Sequence, residues 1–304
     1  MYIGLAFPRR KCYNRPNNLI IRNEADPVAR KLFCEINPFF FAISMKKEHL
    51  KRHIQNLSPG NRFATTHDTK PLPNLVKPHA SVLVRRLHGV DLQLQQNKVT
   101  NIRLAAEKIN GLLIRPGETF SFWYTIGKTS ARKGYREGLV IRNSKVESGV
   151  GGGLCQMGNL IHWLVLNSPL TVTELHHHSD ALFPDERRRV PFGTGTSVCY
   201  NHIDYRFRND TDQTVQLLVW IEGDELCGEL RSEKPFPHHY RLVEENHHFR
   251  KEGDDWYRIS QVYRLVYAQG NEEPIAKELI LDNHSKVLYD PALIPAEQIR
   301  NDCV

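Results

Sequence analysis

Gly151-Gly152-Gly153-Leu154-Cys155-Gln156 places a cysteine where a glycine-rich turn runs into an apolar helix. The next segment, Met157 to Asn167, carries Leu160, Ile161, Trp163, Leu164 and Val165 at helical spacing and stops at Asn167-Ser168-Pro169. A thiol at that point meets the unpaired N–H groups and partial positive charge of a helix N-terminus, which favour the thiolate. Adjacent glycines let the backbone take positive φ and come close to a ligand. The competing reading is structural: the glycines make a tight turn, and Cys155 fills core space as a small hydrophobe.

A base for the thiol is available in Glu174-Leu175-His176-His177-His178-Ser179-Asp180, at the end of an expected strand. Cysteine hydrolases and transpeptidases of the papain type use a thiolate at a helix start, a histidine from a later strand and a polar residue that orients the imidazole. His176 and His178 project to one face of an extended segment and His177 to the other. Asp180 and Asp204 are candidate orienters, and Gln156 or a backbone N–H near Gly153 can steady an oxyanion. Glu118 and Ser121 offer polar groups at the rim of a Cys155 pocket, or else belong to the core edge. The catalytic candidates are therefore Cys155, His176, His178, Asp180, Asp204 and Gln156, and the ligand-binding candidates Gly151, Gly152, Gly153, Glu118 and Ser121. A different chemistry uses His176 and His178 with Cys155, Cys199 or His202 as four zinc ligands, at a spacing that matches no standard module. No phosphate loop, H-E-x-x-H or G-x-S-x-G is present, and no cofactor is expected.

These residues need elements to position them. Lys98 to Asn110 reads as a helix through Ile102, Leu104, Ala105 and Ile109; Leu112 to Ile114 reads as a strand and Thr119 to Tyr124 as a second extended segment. Further strands are expected at Thr171 to Leu175, Thr196 to Tyr200, Ile203 to Arg208, Thr214 to Glu222 and Leu226 to Arg231, with a terminal hairpin of Tyr257 to Val266 and Ala276 to Asp282. Before residue 97 the chain is basic and punctuated by prolines, with a helix at Met45 to Asn56 and a linker over 67–79. The pattern predicts an α+β fold: an antiparallel sheet with a glycine-rich turn leading into a central helix. Three regions follow: a basic N-terminal extension over 1–96, a core domain over 97–232 and a β-rich extension over 233–304.

The formal charge of +7 over 304 residues favours polyanionic surroundings, but it sits in solvated runs such as Lys46-Lys47, Lys51-Arg52, Arg85-Arg86 and Arg187-Arg188-Arg189. No nucleic-acid module is recognisable, so nucleic acid is not an expected partner. Six scattered cysteines without a C-x-x-C pair suit a reducing compartment. Tyr2 to Phe7 is too short for a signal-peptide core and no stretch suits a membrane span, which predicts a cytoplasmic protein. The patch Asn37-Pro38-Phe39-Phe40-Phe41-Ala42-Ile43, with Lys46, Lys47, Lys51 and Arg52 after it, is suited to peripheral membrane contact; the expectation for the phenylalanines is buried core. The sequence does not fix the oligomeric state.

Laid out in order, these segments resemble the VanW family, associated with type-B vancomycin resistance. The resemblance is carried by Asn101 to Gly111, Arg115-Pro116-Gly117-Glu118-Thr119-Phe120-Ser121-Phe122, Gly134-Tyr135, Gly151 to Gln156, His176 to His178 and Asp204 to Asn209. It covers roughly residues 97 to 232 and is specific through the ordered combination. It implies a role in glycopeptide resistance and in cell-envelope or peptidoglycan metabolism. Two mechanisms are open at this point. In one, Cys155 performs acyl transfer or hydrolysis on a small peptide or cell-wall precursor. In the other, a non-enzymatic protein binds its ligand on the glycine-rich turn.

Overall fold

Val215, Leu217 and Val219 alternate along one segment, and Leu226 and Leu230 along the next; all five are buried, so the segments pair as a hairpin with one face inward. In the computed structural model this hairpin is the heart of a five-stranded antiparallel sheet. Its order is β1-β3-β10-β11-β2, where β1 is Thr66–His67, β2 Asn74–Val82, β3 Leu112–Ile114, β10 Val215–Glu222 and β11 Glu225–Ser232. The structure describes residues 37–58, 60–84, 91–142, 145–177, 180–184 and 189–300. His178, Tyr2 to Phe7, Cys12, Cys34, Cys303, Arg85-Arg86 and Arg187-Arg188 lie outside the described residues.

The chain divides into two units, Met1–Met45 and Lys46–Val304. Of the first, the described part is the start of helix α1 (Pro38–Asn56), where Phe39, expected in the core, is exposed. It shares its exposure with Ile43 one turn later. The second unit holds the sheets.

Helix α2 (Leu92–Ile109) packs on β10 through Ile102, Ala105, Ala106 and Ile109, all buried. It starts at Leu92 and not at Lys98, because the Asp91 carboxylate accepts from the Gln93 N–H at 2.8 Å and caps a first turn that has no apolar pattern. Ser121 does the same for a short helix α3 (Phe122–Ile126), accepting from the Tyr124 N–H, so the extended segment expected over Thr119 to Tyr124 ends at Ser121. Strand β4 (Thr119–Ser121) joins β9 (Arg206–Arg208) and β7 (Thr171–Glu174) in a three-stranded sheet, with Phe120 stacked on Phe207 at 5.0 Å. A hairpin of β5 (Glu137–Arg142) and β6 (Lys145–Val150) leads into the glycine turn and helix α4 (Cys155–Leu166). Met157, Leu160, Ile161, Leu164 and Val165 of α4 are buried, and the helix packs on β11 and β2. The core thus lies between the two helices, the five-stranded sheet and the aromatic side chains of the smaller one.

The C-terminal part forms a second sheet of β12 (His238–Glu252), β13 (Asp255–Ala268) and β14 (Ala276–Val287). Strand β8 (Asp180–Ala181) joins it in parallel at Lys286 and Val287. A small cluster of Ala181, Phe192, Phe249, Val287 and Ile294 sits beneath it. The fold is α+β with sheets that are antiparallel except at that junction.

Two further expectations fail. Residues 67–79 are not a linker, since β2 begins at Asn74; the prolines that suggested one are tolerated because β2 is an edge strand. Thr196 to Tyr200 is not a strand: apart from one bridge between Cys199 and Ile203, its backbone is drawn to other partners. The Thr196 N–H donates to Asn159 of α4 at 2.7 Å, and the Ser197 N–H donates to the His176 carbonyl at 2.7 Å.

Candidate functional site

The glycine turn enters α4 with φ of +82° at Gly151 and +91° at Gly153. Close approach governs the turn. A Cβ on Gly152 would lie 2.2 Å from the carbonyl of Gly138, and one on Gly153 would lie 2.1 Å from the Lys98 side chain. The Gly151 N–H donates to Arg136 O at 2.9 Å and the Gly152 N–H to Gly149 O at 3.0 Å. The fully buried Asn101 of α2 donates to both Arg136 O and Gly152 O, and accepts from the Arg136 N–H. Space that a ligand would need beside these glycines is occupied by the Gly138 backbone and the Thr129 and Lys98 side chains.

Cys155 opens α4, half-buried, with its sulfur donating to the Val198 carbonyl at 3.8 Å. Burial pushes its thiol pKa up, with the neighbouring Cys199 adding to the effect; backbone hydrogen bonding at Val198 and at Cys155 itself pulls the other way and loses. Gln156 spends its amide on β2, donating to Ser81 Oγ at 3.0 Å and Val82 O at 2.8 Å. Arg189 donates to Ala80 O at 3.4 Å, and Pro78 has no N–H to offer. Residues 78, 80 and 82 share one side of the strand, so these three devices block the free edge of the sheet against further strand pairing.

The remaining sequence candidates gather around Glu174, which sequence reasoning passed over. Its carboxylate takes two hydrogen bonds from Arg52, each at 2.7 Å, one contact from His176 Nε2 at 3.1 Å and one from the Asp204 N–H at 3.2 Å. Burial opposes its ionisation, but hydrogen bonds from His176 and Arg52 and the charges of Arg52 and Arg206 outweigh it and hold the carboxyl down to about 2. Asp204, buried, accepts from Ser121 Oγ at 2.5 Å, Arg206 Nε at 2.7 Å, Tyr205 N at 2.9 Å and Trp123 N at 3.1 Å. The structure therefore brings His176, Asp204 and Ser121 together with Glu174, Arg52 and Arg206 in one ionic node that ties α1 to β7 and β9. Asp180 sits elsewhere, in β8 opposite Lys286, and Glu118 closes its own turn by accepting from the Arg115 N–H at 2.9 Å. The sequence signal for Glu174 was a single acid ending an alternating strand directly beside the histidines. Among the described residues no group of three or more His, Cys, Asp or Glu is placed to hold a metal ion.

An open groove of about 510 Å³ runs beside α4 and around the free edge of β2. It is lined by Lys77, His79, Trp163, Arg189, Trp220 and Cys227 among others. Lys77 and His79 pair with Leu230 and Gly228 and share their α4-facing side. The Trp163 ring lies 5.7 Å from that of His79, and the Lys77 ammonium is 6.0 Å from the Trp163 ring centre. Burial, with the charges of Lys77 and Arg189, pulls His79 down to about 4, so its imidazole is neutral near pH 7. No helix among the described residues is long and apolar enough to cross a membrane.

A family model described as "VanW like protein" matches residues 97–231. The chain is 32% identical over 260 residues to the vancomycin B-type resistance protein VanW of Enterococcus faecalis (strain ATCC 700802 / V583), covering 86% of this chain and 94% of that protein. It is 30% identical over 115 residues to the uncharacterized protein YoaR of Bacillus subtilis (strain 168), covering 38% of this chain and 36% of that one. No solved structure matches.

Proposed function

The chain belongs to the VanW family, and from that membership we propose that it serves glycopeptide resistance as a binding protein for a small peptide or cell-wall precursor, with the groove beside Trp163 as its ligand site. One observation carries the choice of binding over covalent catalysis: the polar groups at the start of α4 and in the ionic node are engaged in holding the fold. The thiol of Cys155 faces the Val198 carbonyl with a raised pKa, Gln156 is bonded to β2 and Asp204 carries four hydrogen bonds. A cysteine nucleophile needs the opposite, a thiolate next to a base. The groove supplies what a binding site needs: concavity, an indole wall and a few polar groups. Cys155 and Cys227 are free thiols, in keeping with a reducing compartment.

The test compares two variants for glycopeptide tolerance in a strain that depends on this protein, with expression and folding checked. Cys155→Ser is expected to keep full tolerance and Trp163→Leu to lose it. Loss of tolerance in a folded, expressed Cys155→Ser protein would restore the nucleophile and overturn the binding reading.

A further inference from the structure

We propose that the groove is an anion site, holding a ligand's carboxylate or phosphate against the Lys77 ammonium while an apolar part of the same ligand lies on the Trp163 indole. The inference rests on the binding reading of this groove and gives it a ligand class. Lys77 is half-buried, points to the α4 side of β2, and has no carboxylate of the described residues within ion-pair distance. The acids nearby are already taken: Glu225 by Arg189 at 2.7 Å and Glu229 by Arg231 at 2.6 Å. An ammonium withdrawn from water without a partner is costly, and burial alone lowers the Lys77 pKa.

Among the described residues, the surrounding charges leave that cation uncompensated. From β2 come Lys77 and neutral His79, from the segment before Phe192 comes Arg189, and from β11 comes Glu225, which offsets Arg189. A ligand bringing one negative charge would complete the set, and the imidazole of His79 is placed beside it as a neutral hydrogen-bonding group. The indole of Trp163 forms the wall on which an apolar portion can rest. A volume of about 510 Å³ suits a ligand of dipeptide or small-metabolite size.

The full chain is titrated calorimetrically with N-acetyl-alanyl-alanine, with its C-terminal amide and with inorganic phosphate, as wild type, Lys77→Met and Trp163→Leu. The acid is expected to bind saturably, and amidation or Lys77→Met to weaken it by about tenfold or more, the loss of one charge-assisted hydrogen bond. Saturable binding of phosphate that competes with the acid points to a phosphate ligand; acid binding with phosphate inert points to a carboxylate. Either supports the anion site. Equal affinity for acid and amide, no saturable binding of either anion, or binding unchanged in Lys77→Met overturns it. Binding of acid and amide alike that disappears in Trp163→Leu sinks the anion assignment alone and keeps the groove as a binding site. Anion binding that needs Lys77, combined with glycopeptide tolerance indifferent to Trp163→Leu, keeps the site and removes its role in resistance.

Discussion

The first turn of α4 and its third turn put polar chemistry to opposite uses. At Cys155 and Gln156 the sulfur and the amide are bonded to protein groups, and the glycines before them are pressed against Gly138 and Lys98. At Trp163 the helix borders a groove where an ammonium has no counter-charge among the described residues. The contrast teaches that reactive residue types at a suggestive spacing can be assembly parts, whereas an uncompensated charge in a concave site marks where something from outside completes the protein.

The comparison breaks most visibly at the turn. Gly152→Val puts a branched side chain where a Cβ alone already meets Gly138 at 2.2 Å, with backbone as the obstacle. Overpacking of this kind costs about 1–3 kcal/mol when side chains can yield and more when backbone must move. The expected result is a large fall in melting temperature or no soluble protein; an unchanged melting curve would mean the turn is open enough to hold a ligand.

Next in size is the ionic node. Glu174→Gln leaves Arg52 and Arg206 facing a neutral amide, and breaking a part-buried pair in this way costs about 1–3 kcal/mol, between the exposed and the fully buried case. The same carboxylate gives a pH signature. Its folded pKa, about 2, lies below the ordinary 4.5, so its contribution is complete above about 4.5 and is lost as the pH falls toward 2. Denaturant melts between pH 5 and pH 2 should show this loss in the wild type and little of it in Glu174→Gln. A wild-type curve that is flat across this range would remove the node from the account.

The smallest effect sharpens the other side of the comparison. Lys77→Met deletes a half-buried ammonium without an anionic partner among the described residues, so stability is expected to stay level or rise slightly, within about 1 kcal/mol. A marked loss of stability would show that Lys77 is a structural cation after all.

How much of this was legible in the sequence depended on whether packing or partners decided the outcome. Helical spacing in α4 and the alternation in β10 and β11 are written in apolar periodicity, and all three elements form where that pattern puts them. Strand β2 was hidden by Pro71, Pro73 and Pro78, because an edge position excuses a missing N–H and the sequence does not say which strand is an edge. Helix α3 was hidden by Phe120-Ser121-Phe122, which reads as extended until the Ser121 hydroxyl caps the next turn. At the site, the position of Cys155 at a helix start was readable, but its protonation was not. That depends on Val198, brought in by a loop whose own strand-like sequence gave up its pairing to lie on α4. The histidines pointed to the right neighbourhood, but not to Glu174 beside them, which gathers the arginines.

The most direct test of the central claim is the reactivity of Cys155 itself. Limited iodoacetamide labelling of the folded chain near neutral pH, followed by mass mapping, compares it with Cys199, which is exposed. A half-buried thiol with a raised pKa is predicted to label more slowly than Cys199 and to gain speed only when the protein is unfolded. Labelling of Cys155 ahead of Cys199 in the native protein would contradict the account, because it would mean an accessible thiolate at the start of α4.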